Sequence, residues 1–188
     1  KHTGGVTAVA YNPNGKQVAT AGGEKVIKLW DAEKGEVLHD LIGHQGAIIH
    51  SLSYSGDGSL LISGAEESQV RIWNTEKGTS TRILKLEGVC MSAVLSRDGK
   101  YAATAEASLR KPLICVWDVE SGEKIGQWLE PARGGLHHLH FSPAGTEIYA
   151  ACSDKMSYVW SIKGEFRGRF AGHSDILGGL DLSYDGTR

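Results

Sequence analysis

Two histidines two residues apart, His138 and His140, lie in the run Leu136-His137-His138-Leu139-His140-Phe141. In an extended strand they share one face, and a pair of neutral imidazoles there could begin a transition-metal site. No cysteine or carboxylate lies adjacent in sequence to finish such a set; His50 and Asp181 are the groups that could approach from elsewhere. Histidine, hydroxyl and acid also recur together. His2, His44 and His173, with Thr20 and Ser63 and with Glu24, Glu67 and Asp154, are the ingredients of a nucleophilic triad. A triad is defined by geometry and roles, and so many selections fit this chain that residue type alone favours none. Gly22-Gly23 and Gly178-Gly179 are too short to cradle a phosphate, and no helix with Lys-Ser/Thr follows either. No cofactor and no catalytic residue is therefore expected, and His138 and His140 read by preference as polar lining.

Composition narrows the classes further. The 188 residues carry 20 basic and 22 acidic side chains, with no basic excess to hold nucleic acid. A hydrophobic share of 40% argues against disorder. The longest apolar stretches, such as Leu60–Ile62 and Leu113–Trp117, are too short to cross a bilayer as a helix. Cys90, Cys115 and Cys152 show no CxxC spacing and read as buried reduced thiols of a cytoplasmic protein. The 25 glycines, beside only 4 prolines, point to many tight turns.

What must position these groups is a repeat. Trp30, Trp73, Trp117 and Trp160 are separated by 43, 44 and 43 residues. Each closes an alternating apolar run, such as Val26-Ile27-Lys28-Leu29-Trp30 and Val70-Arg71-Ile72-Trp73, and alternation at period two is strand chemistry. Turn segments Asn12-Pro13-Asn14-Gly15, Ser55-Gly56-Asp57-Gly58, Ser96-Arg97-Asp98-Gly99, Ser142-Pro143-Ala144-Gly145 and Ser183-Tyr184-Asp185-Gly186 each follow an apolar strand. A second strand follows the first four of these turns, and another turn and a last strand follow each tryptophan. Four short strands per repeat describe an antiparallel blade, and blades of this length stack into an all-β propeller. The repeat divides the chain into blade one, about 5–42, blade two, about 47–87, blade three, about 89–130, blade four, about 135–171, and the first strand of a fifth blade, about 175–188. In this register Leu136, Leu139 and Phe141 match Val6, Val9 and Tyr11, while His138 and His140 replace Ala8 and Ala10.

These residues resemble the WD40 repeat family over the whole chain. Trp30-Asp31 and Trp117-Asp118 match its Trp-Asp pair, with Trp73-Asn74 and Trp160-Ser161 as drifted copies; Gly43-His44 and Gly172-His173 match its Gly-His pair. The resemblance implies a hydrogen-bonded set in each blade made of the loop His, a Ser or Thr, an acid and the Trp. Blade two supplies His44, Ser63 and Trp73, and blade one His2, Thr20 and Trp30, with Glu67 and Glu24 at the acid position. Blade four keeps Asp154 but has Ala150 at the hydroxyl position, and blade three has Thr104 and Trp117 without a matching His. Those blades are expected to be weakly stapled and held mainly by packing. Rings of the family most often have seven blades, so four blades and a strand are expected to be an open arc or a fragment of a larger ring, with the remaining blades as its neighbours.

The resemblance implies a non-catalytic scaffold whose rim loops dock partner proteins. An alternative makes the chain the sensory or regulatory region of a larger signalling enzyme whose catalytic domain lies elsewhere. Blade three carries the only insertion: Thr104 precedes Trp117 by thirteen residues, where Thr20 and Ser63 precede their Trp by ten. The insertion and the Pro/Arg/Gly segment after Trp128 should open on one rim. Arg110, Lys111 and Arg133 would form a positive sector there beside a negative one at Glu66 and Glu67, a pattern suited to oriented docking.

Overall fold

The computed structural model describes residues 1–45, 48–107, 113–129 and 134–183, with Leu129 described by its backbone alone. Alternating side chains and Gly-terminated turns produce, among these residues, sixteen strands and no helix. They are β1 (Val6–Tyr11), β2 (Gln17–Gly22), β3 (Val26–Asp31), β4 (Val37–Ile42), β5 (Ile49–Tyr54), β6 (Leu60–Ala65), β7 (Gln69–Asn74) and β8 (Thr79–Lys85), followed by β9 (Val89–Leu95), β10 (Tyr101–Ala107), β11 (Leu113–Asp118), β12 (Lys124–Leu129), β13 (Leu136–Phe141), β14 (Glu147–Cys152), β15 (Met156–Ser161) and β16 (Phe166–Ala171). Each consecutive four forms its own antiparallel sheet in chain order, which is the blade of a propeller. At Gly58 the turn needs a left-handed residue, φ 73°, and its carbonyl accepts the Asn12 side chain of the preceding blade at 3.0 Å.

Every blade also carries two irregularities at matching positions. The pairing slips near the start of each first strand, between Val6 and Ala8, Ile49 and Ser51, Cys90 and Ser92, and Leu136 and His138. It slips again before each tryptophan, between third and fourth strands. One extra residue on one strand raises local twist, which a blade needs to pack on its neighbour.

The core lies between sheets, in three layers. Ala19, Ala21, Ile27, Leu29 and Leu41 of blade one meet Ile49, Leu61 and Trp73 of blade two. Ile62, Ile72 and Leu84 then meet Cys90, Leu113 and Trp117, and Ala103, Ile114 and Val116 meet Leu136, Tyr158 and Trp160. Each tryptophan after the first thus fills the layer toward the blade before it. The innermost strands β1, β5, β9 and β13 are successive neighbours, and a polar ladder joins three of them. Ser51 Oγ accepts the Ala93 N–H at 3.0 Å and Ser92 Oγ accepts the Leu139 N–H at 3.1 Å. His138 stands at the same register in blade four, beside the Leu180 backbone.

The first strand of a fifth blade does not form among the described residues. The chain beyond Ala171 runs past β13 without regular pairing up to Ser183. An innermost strand draws its ladder from the second strand of its own blade, and none of the described residues supplies one. The outer face of blade one is likewise uncovered: Val6, Val9 and Tyr11 are 58%, 66% and 61% exposed, whereas Ile49 and Tyr54 at the same register are 0% and 8%.

Candidate functional site

The histidine loops and the β2–β3, β6–β7 and β14–β15 turns lie on one rim, and their side chains are tied to the tryptophans. In blade two the Trp73 indole N–H donates to Ser63 Oγ at 2.8 Å, and Ser63 Oγ lies 2.6 Å from His44 Nε2. His44 Nδ1 meets Glu67 Oε1 at 2.5 Å, while Glu67 Oε2 accepts the Gln45 N–H at 3.0 Å. Blade one repeats the chain: Trp30 donates to Thr20 Oγ1 at 2.6 Å, Thr20 meets His2 Nε2 at 2.6 Å, and His2 Nδ1 meets Glu24. The longer Glu side chain therefore closes both sets. Burial holds the His44 imidazole below its usual pKa, against the opposing pull of Glu67. A neutral ring with its proton on Nδ1 fits these contacts, with Ser63 donating to Nε2. Partial burial pushes the Glu24 carboxyl up, but its own backbone amide and His2 outweigh that and leave it below the usual range.

Hydroxyl, imidazole and carboxylate here stand in the order of a nucleophilic triad. The Ser63 hydroxyl, however, is fully buried and already receives the Trp73 N–H. A nucleophile needs a path for substrate, so the arrangement in this state serves as a staple between loop and sheet.

Blade three is stapled too, by a residue that sequence reasoning missed. Trp117 Nε1 donates to Thr104 Oγ1 at 3.0 Å, and Thr104 donates to Glu106 Oε1 at 3.2 Å. Glu106 Oε2 accepts the N–H groups of Glu87 and Gly88 at 2.9 and 3.3 Å. One buried carboxylate spans the distance that His and Glu cover together in blade two. Its signal was a lone acid at the end of an Ala-rich strand, Ala102 to Ala105, two residues after Thr104 rather than four. Blade three, expected to be weakly stapled and held mainly by packing, thus carries a bond set through Glu106. In blade four Asp154 binds elsewhere, accepting the Tyr158 O–H at 2.7 Å and the Met156 N–H at 3.2 Å.

A second link was also unforeseen. Lys25 and Lys155 close equivalent turns with φ 67° and 73°, and their amines reach the carbonyls of Gln45 and Ser174 at 2.9 and 2.8 Å. Each of those carbonyls belongs to the residue after the next loop histidine, so the lysine ties one blade to the following loop.

Of the rim charges expected to meet a partner, Glu66 is exposed and lies 3.3 Å from His50 Nε2. Glu67 turns inward, with both oxygens engaged in the staple. Arg110, Lys111 and Arg133 lie outside the described residues. On the opposite rim a cavity of about 720 Å³ is lined by Tyr11, Tyr54, Leu95, Phe141, His138 and His140. His140 Nδ1 points to the Phe141 carbonyl at 2.8 Å and Nε2 to Asp181 Oδ1 at 3.2 Å. An oxygen stands opposite each ring nitrogen, so neither nitrogen faces an open ligand position. No group of three His, Cys, Asp or Glu converges as metal ligands among the described residues. Burial and the charge of His140 hold His138 below its usual pKa. Cys90 and Cys115 flank β10 from β9 and β11, two strand spacings or roughly 9–10 Å apart, too far for a disulfide. Burial pushes both thiols up.

Comparison with known proteins agrees with the architecture. The family model for "WD domain, G-beta repeat" matches residues 1–31 and 35–74. The chain is similar to the transcriptional corepressor LEUNIG_HOMOLOG of Arabidopsis thaliana, 25% identical over 86% of this chain and 20% of that protein. It is 31% identical to eukaryotic translation initiation factor 3 subunit I of Eremothecium gossypii, over 86% of this chain and 33% of that protein. It is 43% identical to the small ribosomal subunit protein RACK1 of Medicago sativa, over 29% of this chain and 16% of that protein. The chain thus spans about a fifth of the length of LEUNIG_HOMOLOG and a third of that of the initiation-factor subunit. Repeat period, blade topology, rim staples and these matches together place the chain in the WD40 repeat family.

Proposed function

We propose that this chain is a non-catalytic interaction module that docks partner proteins on the rim bearing its histidine loops, and that it works in the cytoplasm. The observation that carries the reading is how the reactive side chains are spent. Ser63, His44 and Glu67, and Thr104 and Glu106, satisfy one another at the edge of a rigid sheet stack. What remains on that rim is loop surface carried by the sheets, the usual seat of recognition. The relatives' names support the same class: a corepressor, a subunit of an initiation factor and a ribosomal subunit protein. Thiols that stay buried and apart suit a reducing compartment.

Arg110, Lys111 and Arg133 carry the partner contacts, and truncating one good Arg contact commonly costs about 2 kcal/mol or more. The test is affinity capture with wild type and with Arg110→Ala/Lys111→Ala/Arg133→Ala, each partner's affinity then measured. Weaker binding of the triple variant, with Glu33→Ala/Lys34→Ala on the other rim unchanged, supports the reading. Unchanged affinity for the first and lost affinity for the second overturns it.

A further inference from the structure

We infer that the crevice between the outer strands of blades one and two receives a carboxylate from an acidic segment of a partner protein, with Arg71 as its anchor. The repeat shows what is missing there. In blade one Lys28 and Asp40 stand opposite each other on β3 and β4, and their side chains meet at 2.7 Å. In blade two Arg71 holds the position of Lys28, and Ile83 holds that of Asp40. The cation is kept and its acid is gone. Blade three sets Cys115 opposite Gln127, and blade four sets Tyr158, which donates to Asp154, opposite Arg169.

Arg71 is half-buried as well as unpaired. Its Nε atom is out of water with no hydrogen-bond partner, and the guanidinium forms no ion pair among the described residues. The group lies over Gly43, where an added Cβ would stand 3.0 Å from Nη1. Leu86 holds the place of Gly43 in the next loop and is itself buried, so the bare backbone at Gly43 is what leaves room for the guanidinium. The acids of the neighbouring turn are engaged elsewhere, Glu66 with His50 and Glu67 with His44 and the Gln45 amide. A guanidinium carries five donors in a planar fork that matches a carboxylate, and a charge-assisted pair of that kind is among the stronger ones.

A second cation and an apolar surface complete the site. Lys85 stands opposite Gln69 on the sheet face that holds Arg71 and Ile83, diagonal to Arg71, and it too forms no ion pair among the described residues. Like charges so placed repel each other, and an anion set between them relieves that repulsion. Ile83 is 44% exposed beside them. An acid flanked by an aliphatic residue therefore fits better than a bare anion, which leaves the Ile83 surface wet. Both walls belong to blades whose four strands are described throughout, so the site does not depend on how the ring continues. It lies on the outer wall, apart from the rim proposed above, and goes beyond that reading.

The probe is a fluorescently labelled decapeptide of alternating glutamate and leucine, read by anisotropy against the 188-residue chain at low salt, beside the same peptide with glutamine for glutamate. The expected result is saturable binding of the glutamate peptide, weakened about tenfold or more by Arg71→Gln and about twofold to fivefold by Lys85→Gln. The glutamine peptide binds about tenfold more weakly or worse. Ile83→Asp rebuilds the pair of blade one without touching Arg71 and removes the binding, whereas Ile83→Asn, of the same shape without the charge, costs less. Lys77→Gln, in the exposed turn after β7, binds as wild type does and controls for net charge. Equal binding by wild type and Arg71→Gln overturns the inference, and so does equal binding of the two peptides or none of either. Inorganic phosphate that displaces the peptide at the peptide's own concentration also overturns it, because the site would then read charge alone. Arg110→Ala/Lys111→Ala/Arg133→Ala leaves peptide binding unchanged whatever becomes of the rim reading. A loss confined to that triple variant would put the acid on the rim and overturn this site, so the two readings fail separately.

Discussion

Blades two and four share a register and tie their tryptophans differently. Trp73 ends a chain of hydrogen bonds through Ser63 and His44 to Glu67, on the far side of a loop. Trp160 has Ala150 where that chain would begin, and sits in an aromatic group instead. Tyr158 stacks on it with ring centres 5.6 Å apart, and Phe166 tilts against it at 6.3 Å. Both indoles are nearly fully buried, at 1% and 2% exposure. Burial of the tryptophan is therefore what the blade requires, and the hydrogen-bond chain is one way to hold the loop over it. Polar staples fix a loop in place, and packing between sheets fixes the sheet.

The sharpest way to break this comparison is to remove the tryptophan where it is covered and where it is not. Trp73→Ala should cost about 3–5 kcal/mol, the usual loss for a buried aromatic in a packed core. Trp30→Ala, at the same register on the uncovered blade-one face, should cost clearly less. Chemical unfolding of the two variants beside wild type measures both. Equal losses would mean that the layer between blades one and two contributes little.

Next comes blade three, where a single carboxylate does what two side chains do in blade two. Glu106→Ala leaves the Thr104 hydroxyl and the Glu87 and Gly88 amides without their acceptor. Orphaned buried donors cost about 1–3 kcal/mol each before water relieves them, so a net loss of about 2–3 kcal/mol is expected. The drop in unfolding midpoint checks it, and a change under about 0.5 kcal/mol would show that packing alone holds this blade.

How much of this could be read beforehand follows from what a repeat transmits. Trp spacing, turn glycines and alternation carry blade boundaries because every blade needs them. The His2 and His44 staples were legible residue by residue, since blades one and two keep the ten-residue step from hydroxyl to tryptophan. Glu106 was not, because it solves the same problem from a different offset. Ser51 and Ser92 were silent as well. A serine on an innermost strand has no distinctive neighbours, and only the packed blades show that it meets the next strand's amide. Asp154 was placed in the right turn, but the missing hydroxyl at Ala150 sends its carboxylate to Tyr158. The fifth strand is a different case: alternation marks a segment able to pair, and among the described residues no second strand of that blade is present to pair with it.

The blade-two staple gives a pH signature that blade four lacks. Burial depresses the His44 pKa in the folded chain, below the value near 6.5 of an unfolded histidine. Between those two values the unfolded state binds more protons, so stability is intact above about 6.5 and falls as pH drops through the window. His44→Ala should cost about 2 kcal/mol at pH 7.5, taking the imidazole away from the Ser63 hydroxyl proton and from Glu67 Oε1, and less at pH 5. His137→Ala, at the extra residue of the β13 slip, should stay within about 0.5 kcal/mol at both pH values. Thermal melts of the three proteins across that range provide the check. Equal pH slopes for wild type and His44→Ala would mean that the imidazole is not held neutral.

The smallest effect asked for is the reverse experiment, giving blade four the hydroxyl it lacks. Ala150 is fully buried and pairs with Leu139 and Tyr158, as Ser63 pairs with Leu52 and Arg71. Ala150→Ser adds one oxygen at the position where Ser63 receives the Trp73 indole, and the smaller change in volume limits overpacking. Trp160 can then donate to it, a neutral bond with a net value of about 1 kcal/mol at most. The new hydroxyl proton has no loop histidine to receive it, because no Gly-His pair precedes β13. The expected gain is therefore below about 1 kcal/mol and close to zero if that proton stays unpaired. Adding the histidine should raise it: the double variant Ala150→Ser/Ala132→His, which puts the histidine eighteen residues before the hydroxyl as His2 is before Thr20, compared with each single change in a mutant cycle, would show positive coupling if the staple assembles from its parts. A loss of more than about 1 kcal/mol in Ala150→Ser alone would mean that the Tyr158–Trp160 stack leaves no room for the oxygen, and that the aromatic solution and the polar one exclude each other.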